Sequence, residues 1–365
     1  MSLFGLATQT LFGWLYLHTT YRFGDLLYVL EKVDCVNDSL YTTRTSDPCT
    51  GYIYGSTLIK FLRIIGINAG KLEIFGFTLI ILFTFIFFRN IYLGKFSRQA
   101  TIFFFILYFS PPIVLLLERA NIDLLIFILI FLSGYLFTAR RITAGVIILI
   151  LAGMFKFYPI ALALVALLLL ARKKQRVLLL IIWIFASIIV IKDLLQLQNL
   201  PWDARNMFGN SIWGEYLKYA IVGSNTHGNF LVNSALGILI IFVMGFVNNW
   251  VFSNRIIIKN DLVESDIYFF SLFAGTYLIC YFSGLNVDYR LVFLLVAITY
   301  INRIIIMKKV QTYVFSLSVC LTFFLSFNSN LLQPLGDLAQ VYIVFVLIIA
   351  LIRVYFQKSR TSSIS

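Results

Sequence analysis

The stretch AGVIILILAGMFKFYPIALALVALLLLA, residues 144–171, decides what kind of fold this chain can have. It holds one charged residue, Lys156, and Pro159 divides it into two apolar runs of about 12 residues, each roughly 18 Å long as a helix. A hydrocarbon layer about 30 Å thick accepts such short helices when they pack against other helices. The stretch therefore predicts two membrane-embedded helices joined by a turn that keeps a lysine inside the protein.

The composition of the whole chain agrees with this membrane setting. Of 365 residues, 61% are apolar and 12% are charged, whereas soluble domains have about 45 to 50% apolar and about 25% charged residues. A water-soluble globule is therefore excluded. With two histidines and four cysteines, and with no HExxH, CxxC or GxxxxGK[ST] pattern, the sequence gives no indication of a metal centre or a P-loop.

The apolar runs predict an all-α polytopic protein with about 12 transmembrane helices. The N-terminal run lacks a basic start and a cleavage site, so we expect it to be retained as the first span. The predicted spans lie near residues 4–20, 74–88, 99–117, 122–138, 143–155, 158–171, 177–191, 232–252, 266–282, 289–302, 311–327 and 338–352. The spans form a single transmembrane domain, residues 1–365.

The net charge of +13 predicts the orientation of these spans. With a cytoplasmic N-terminus, the loops on that side are 89–98, 139–142, 172–176, 253–265, 303–310 and the tail after 352, and they carry 17 of the 29 basic residues. That side holds only three acids, Asp261, Glu264 and Asp266. This is the positive-inside asymmetry, so both termini are expected to be cytoplasmic and nucleic acid is not an expected partner. A plasma membrane, most simply a bacterial inner membrane, suits this topology.

Two extracytoplasmic loops are large, residues 21–73 and 192–231, and loops of this length are usually functional or disordered. The first is expected to contain amphipathic helices and holds Cys35 and Cys49, separated by 13 residues. Outside the cytoplasm these cysteines are expected to form a disulfide, the alternative being two independent thiols. Cys280 and Cys320 lie in apolar spans and are expected to be lone buried cysteines.

Ionisable side chains at membrane depth cost about 2.5 to 3.5 kcal/mol each, so each needs an explanation. They occur in four places, all on the predicted outer side: at Asp25; at Glu118, Arg119, Asn121 and Asp123; at Lys156; and at Asp288, Tyr289 and Arg290. Three cations, several carboxylates and many aromatic residues at one leaflet suit a substrate with an anionic head and an apolar tail. Lys156 and Arg290 are candidates for binding a phosphate.

Simpler interpretations exist for three of these places. Arg119 and Asp123 have the i, i+4 spacing of a helical ion pair, and Asn121 could cap the following span. Lys156 could be a lysine that snorkels to the interface. Asp288 and Arg290 could form a salt bridge at the rim, which would contribute little to stability.

Four segments resemble membrane glycosyltransferases of the GT-C superfold, most closely glycosyltransferase family 87, the polyprenyl-phosphate-mannose-dependent mannosyltransferases. The segments are ERANIDLLIF (118–127), AGMFKFYPIALAL (152–164), FGDLLYVLE (23–31) and NVDYRLVFLL (286–295). The resemblance implies an inverting sugar transfer from a polyprenyl-phosphate donor to a lipid-linked or glycan acceptor on the extracytoplasmic face. The family's GNID motif corresponds to Ala120–Asp123 here.

The resemblance also implies roles for individual residues. An aspartate of the first outer loop acts as general base; Asp25 matches that position, with Asp38 and Asp47 as alternatives. Lys156, Arg290 and Arg119 would bind the donor phosphate. The sugar or the acceptor would contact the remaining polar residues, Glu118, Asn121, Asp123, Tyr158, Asp288 and Tyr289. The chain has no DxD motif, which suits a lipid-phosphate donor, and neither a metal nor another cofactor is expected.

Two other functions remain open from the sequence. A transporter or flippase of lipid-linked oligosaccharides would also need many spans and buried charges, although the chain shows no internal repeat. A polymerase of lipid-linked saccharides would act on the same class of lipid, and its large outer loops would be expected to carry more arginines.

Overall fold

The structure is a computed structural model that describes residues 23–35, 49, 52–94, 96–171, 173–197, 257–259, 263–282, 290–307, 309–325 and 333–362. Several predictions lie outside the described residues. These are the spans at 4–20 and 232–252, the second outer loop beyond residue 197, and the side chains of Asp38, Asp47, Asp288 and Tyr289.

The described part is almost entirely helical. In the N-terminal half its helices are α1 Gly24–Leu30, α2 Ser56–Ile64, α3 Leu72–Leu93, α4 Arg98–Tyr108, α5 Pro111–Glu118, α6 Asp123–Thr138, α7 Ile142–Phe155, α8 Pro159–Leu170 and α9 Lys173–Leu197. The C-terminal half has α10 Glu264–Phe282, α11 Leu291–Ile304, α12 Lys309–Leu325 and α13 Gln333–Ser362, with two short strands, β1 Ile257–Ile258 and β2 Ile305–Ile306.

The lengths of these helices are those of an α-helical membrane protein. Among the described residues, four helices are long and apolar enough to cross a membrane, or five if the bent pair α4 and α5 is one span. That pair bends by 52° immediately before Pro111 and Pro112, which interrupt the predicted span 99–117. Five further apolar helices have 10 to 17 residues, and α7 and α8 flank Lys156 as the sequence predicts.

The chain divides into two compact units. The first unit comprises residues 19–90 and 115–204, and the second comprises residues 1–18, 91–114 and 205–365. In the first unit α6, α7 and α8 pack in chain order, α9 packs on α7 and α8, and α2 lies against α7. Trp183 of α9 donates a hydrogen bond to the carbonyl oxygen of Ile160 at 2.9 Å, which ties α9 to the start of α8.

The described parts of the first predicted outer loop are held within the first unit. The predicted disulfide between Cys35 and Cys49 is present. Helix α2 buries Leu58 and Leu62 while Lys60 is exposed, which is the pattern of an amphipathic helix. Arg63 at its end donates hydrogen bonds to the carbonyl oxygens of Val33 (2.7 Å) and Cys35 (2.6 Å), and thereby joins α2 to the disulfide. Cys280 and Cys320, in the other unit, form no disulfide, as expected; Cys280 is buried, whereas Cys320 is only partly buried.

In the second unit, three predicted cytoplasmic loops meet. Ile257 and Ile258 pair antiparallel with Ile306 and Ile305, so the loops 253–265 and 303–310 form a short ladder that the sequence analysis did not predict. Arg303 bonds Asp266 at 3.2 Å, and its guanidinium lies 5.2 Å from the Phe96 ring centre, which brings the loop 89–98 to the same place. The three loops therefore share one end of the second unit.

Candidate functional site

The segment that carries Asp25 is fixed on the turn between α5 and α6. The backbone N–H of Phe23 donates to the carbonyl oxygen of Glu118 at 3.1 Å, and that of Leu26 donates to the carbonyl oxygen of Arg119 at 3.3 Å. The first turn of α1 thus finds acceptors that its own helix cannot supply. Phe23 and Ala120 both have left-handed backbone conformations, with φ of 59° and 44°, where the two segments meet.

The carboxylate of Asp25 contacts two side chains of that turn. Its Oδ1 lies 3.3 Å from Nη1 of Arg119, and its Oδ2 accepts a hydrogen bond from Nδ2 of Asn121 at 2.6 Å. The side chains of Asp25 and Arg119 are 21% and 23% exposed, so this pair forms a partly exposed rim.

Asn121 connects the rim to buried groups. Its side chain is fully buried, and its Oδ1 accepts from the backbone N–H of Asp123 at 2.9 Å and from Nζ of Lys156 at 3.4 Å. The first of these bonds is the predicted cap at the start of α6, and it is confirmed. Because both groups donate to Oδ1, the amide nitrogen is the end that faces Asp25.

Beneath Asn121 lies a buried ion pair. Nζ of Lys156 is 2.8 Å from Oδ2 of Asp123, and the two side chains are 7% and 0% exposed. The hydroxyl of Tyr158 donates to Oδ1 of Asp123 at 2.6 Å, so both oxygens of this carboxylate have polar partners. We call this group the Asn121 cluster; its members are Asp25, Arg119, Asn121, Asp123, Lys156 and Tyr158.

The turn between α7 and α8 places Lys156 in the cluster. Helix α7 ends at Phe155, Lys156 takes an extended conformation, and Pro159 starts α8 at a position where its missing N–H costs nothing. The first outer loop packs on this turn: the N–H of Gly55 donates to the carbonyl oxygen of Phe155 at 3.0 Å, and the ring centre of Tyr54 lies 5.0 Å from Nζ of Lys156.

The charges of the Asn121 cluster balance. Two carboxylates face two cations, and the buried half of the cluster lies where the apolar helices α6 and α8 begin and α7 ends. Burial of an ion pair costs free energy, and hydrogen bonds from Lys156 to Asn121 and from Tyr158 to Asp123 offset part of that cost here. Such an arrangement holds its members in fixed orientations around Asp25.

The structure corrects two of the simpler interpretations. Arg119 and Asp123 do not pair: Arg119 contacts Asp25, and Asp123 contacts Lys156, because α5 ends at Glu118 and α6 begins at Asp123. Lys156 does not snorkel, since its ammonium is turned inward to Asp123.

The remaining predicted site residues have other positions. The side chain of Glu118 is exposed, and its carbonyl oxygen accepts from Phe23. Arg290 belongs to the second unit, where it precedes α11 and is partly exposed. Asp38, Asp47, Asp288 and Tyr289 lie outside the described residues.

Two contacts of the first loop were not predictable from the sequence. Asp193, near the end of α9 and 3% exposed, accepts a hydrogen bond from the backbone N–H of Ser56 at 2.8 Å and so caps α2 from another element. Tyr54 packs its ring face toward Lys156. The only sequence signal for the contact of Asp193 is that an acidic residue stands at the end of an apolar span. Nothing in the sequence indicates the contact of Tyr54 with Lys156.

Within the described ranges, no three His, Cys, Asp or Glu side chains are grouped so that they could hold a metal ion. No protein-family model, curated protein or solved structure matches the chain.

Proposed function

We propose that this protein is an integral-membrane glycosyltransferase of the GT-C type, with about 12 spans and a polyprenyl-phosphate sugar as donor. The proposal is supported first by the helices. Ten of the twelve predicted spans fall wholly or mostly on described residues, and helices cover most of the described part of each. The resemblance to glycosyltransferase family 87 also extends over the segments that form the Asn121 cluster.

The observation that carries the proposal is the environment of Asp25. This carboxylate lies at a partly exposed rim, held by Arg119 and Asn121. An ionised carboxylate offers about four lone-pair sites, so the two contacts leave room for a substrate hydroxyl. An acceptor hydroxyl is a weak nucleophile, and a base within hydrogen-bond reach contributes typically 10²- to 10⁴-fold to the rate.

The proposed reaction uses these groups in turn. Asp25 takes the proton of the acceptor hydroxyl while the hydroxyl oxygen attacks the anomeric carbon of the donor sugar. The bond from that carbon to the phosphate oxygen breaks on the opposite face, so the configuration inverts and polyprenyl phosphate leaves. Arg119, with one of its five N–H groups on Asp25, supplies charge to the departing phosphate.

The test is to incubate purified protein with radiolabelled polyprenyl-phosphate sugars and a panel of lipid-linked acceptors. A labelled glycolipid product is expected, whereas a flippase would move the lipid across a vesicle without forming a product. If the label is found in long saccharide chains instead, the protein is a polymerase.

The matched variants are Asp25→Asn and Asp34→Asn, because Asp34 is an exposed carboxylate in the same loop. We expect Asp25→Asn to lower the transfer rate by about 10²- to 10⁴-fold and Asp34→Asn to leave it unchanged. Near-normal transfer by Asp25→Asn would move the base to Asp38 or Asp47, and loss of transfer in both variants would refute a specific role for Asp25.

A further inference from the structure

We propose that Asn121 positions the general base, and that Lys156 acts through Asn121 as the counter-ion of Asp123 and does not bind the donor phosphate. The inference rests on the proposed function and deepens it, because it divides the cations of the site between two roles. It also replaces the sequence-based expectation that Lys156 binds a phosphate.

Both polar atoms of the Asn121 side chain make hydrogen bonds. Oδ1 accepts from the N–H of Asp123 and from Lys156, and Nδ2 donates to Asp25 at 2.6 Å. The residue is fully buried, and it is anchored at the first turn of α6. An amide fixed at one end by two donors holds the carboxylate at its other end in one orientation, which is what a general base requires.

Lys156 is a poor candidate for a phosphate ligand because its ammonium already pairs with Asp123. Asp123 is fully buried and lies 2.8 Å from Nζ, so the pair presents no net charge. Nζ also lies 3.4 Å from Oδ1 of Asn121 and 5.0 Å from the centre of the Tyr54 ring. A phosphate that drew Lys156 away would leave a carboxylate buried without its counter-ion, which is strongly unfavourable.

Arg119 is the cation of the cluster that can take an anion. Its side chain is 23% exposed, its described ion pair uses Nη1 alone, and the guanidinium has further N–H groups. Removal of Arg119 should therefore weaken donor binding, and removal of Lys156 should act on Asp123 and Asn121 instead.

A double-mutant cycle separates the two roles. The proteins are wild type, Lys156→Met, Asp123→Asn and the double variant, and the measurements are the apparent melting temperature in detergent and the KM for radiolabelled polyprenyl-phosphate mannose. Each single variant leaves one buried charge without its partner, so we expect both to melt several degrees below wild type. The double variant buries no charge, and it should recover at least half of that loss.

The donor KM gives the second measurement. If Lys156 is a counter-ion, the double variant keeps a donor KM within about threefold of wild type, although kcat falls. A rise of about tenfold or more in the double variant would show that Lys156 contacts the donor and would overturn the proposal. Absence of any recovery in melting temperature would overturn it as well. The control for both measurements is Lys60→Met, which removes an exposed lysine from α2.

Asn121 is tested by Asn121→Leu, with Asn68→Leu at an exposed asparagine as control. A positioning residue predicts a kcat about 10²-fold lower with an unchanged donor KM. If kcat and the melting temperature both fall and a stabilising lipid restores both, Asn121 has a merely structural role and the positioning role is refuted. Should wild type transfer no sugar, the proposed function and the role of Asn121 both fail, while the melting cycle still decides whether Lys156 is the counter-ion of Asp123.

Discussion

Both units contain an ion pair that joins distant segments, but they surround it differently. In the second unit, Arg303 pairs with Asp266 at 3.2 Å, both side chains are 17% exposed, and the guanidinium lies against the rings of Phe96 and Tyr300. In the first unit, Lys156 and Asp123 are nearly or fully buried, and each also makes a hydrogen bond with a polar side chain, Lys156 with Asn121 and Asp123 with Tyr158.

The different surroundings of the two ion pairs indicate that the pairs have different roles. Aromatic faces and one carboxylate are enough to fasten three loops, and such a site needs no further polar groups. The Asn121 cluster has six polar side chains in an apolar setting, and its chain of contacts ends at a partly exposed carboxylate. Fastening the first loop does not require that many buried polar groups, so we attribute the excess to function.

The largest expected difference is between Lys156→Met and Arg303→Met. The first leaves Asp123 as an uncompensated buried charge and should cost about 3 to 5 kcal/mol. The second leaves Asp266 partly in water and should cost about 1 kcal/mol. Thermal melting of both variants in the same detergent measures the difference, and equal shifts would show that the two ion pairs are energetically alike.

Two glycines give the next comparison. Gly55 lies beside the turn that carries Lys156, and Gly94 lies beside Arg303. A Cβ on Gly55 would collide with the backbone carbonyl of Met154, which cannot move without displacing the end of α7. A Cβ on Gly94 would meet the ring of Phe96 and the end of the Arg303 side chain, and both can rotate away. We expect Gly55→Ala to cost about 3 kcal/mol and Gly94→Ala about 1 kcal/mol.

The measurement for the glycine pair is again the melting temperature, combined with limited proteolysis of the first loop. Gly55→Ala should expose the first loop to proteolytic cleavage, because the loop can no longer pack on the turn between α7 and α8. A Gly55→Ala protein that melts no lower than Gly94→Ala would mean that the loop does not pack on that turn.

Much of the fold follows from the sequence because membrane helices need long apolar runs. The prolines at 111 and 112 predict the break in the span 99–117, and the short runs around Lys156 predict α7 and α8. The ladder of β1 and β2 was not predictable, since two residues per strand make no alternating pattern.

Five members of the Asn121 cluster were predictable as residues that need partners, but the contacts between them were not. Insertion cost alone singles out Asp25, Arg119, Asn121, Asp123 and Lys156 as residues that need partners. The spacing of Arg119 and Asp123 predicts a helical pair, yet the left-handed backbone at Ala120 separates the two helices and sends the side chains to different partners. The contacts of Asp25 cross more than 90 residues of chain, and no local pattern encodes them.

Ala120 itself gives the comparison with the smallest expected effect. It is fully buried and its φ of 44° lies in the left-handed region, which costs a residue with a side chain about 1 to 2 kcal/mol. Ala120→Gly relieves that strain. It also removes a buried methyl group, worth about 0.8 kcal/mol, and raises the conformational entropy of the unfolded chain, and both of these changes lower the stability. These terms nearly cancel, so we expect the stability to change by less than about 0.5 kcal/mol.

The matched variant in the second unit is Ala297→Gly, at an equally buried alanine in the interior of α11. There the lost methyl group and the poor helix propensity of glycine act in the same direction, for a cost of about 1.5 to 2 kcal/mol. Melting of the two variants side by side isolates the backbone strain, because the deleted group is the same. If Ala120→Gly were as destabilising as Ala297→Gly, the turn that holds Asn121 would store no strain, and its fixed geometry would have to come from the hydrogen bonds of the Asn121 cluster alone.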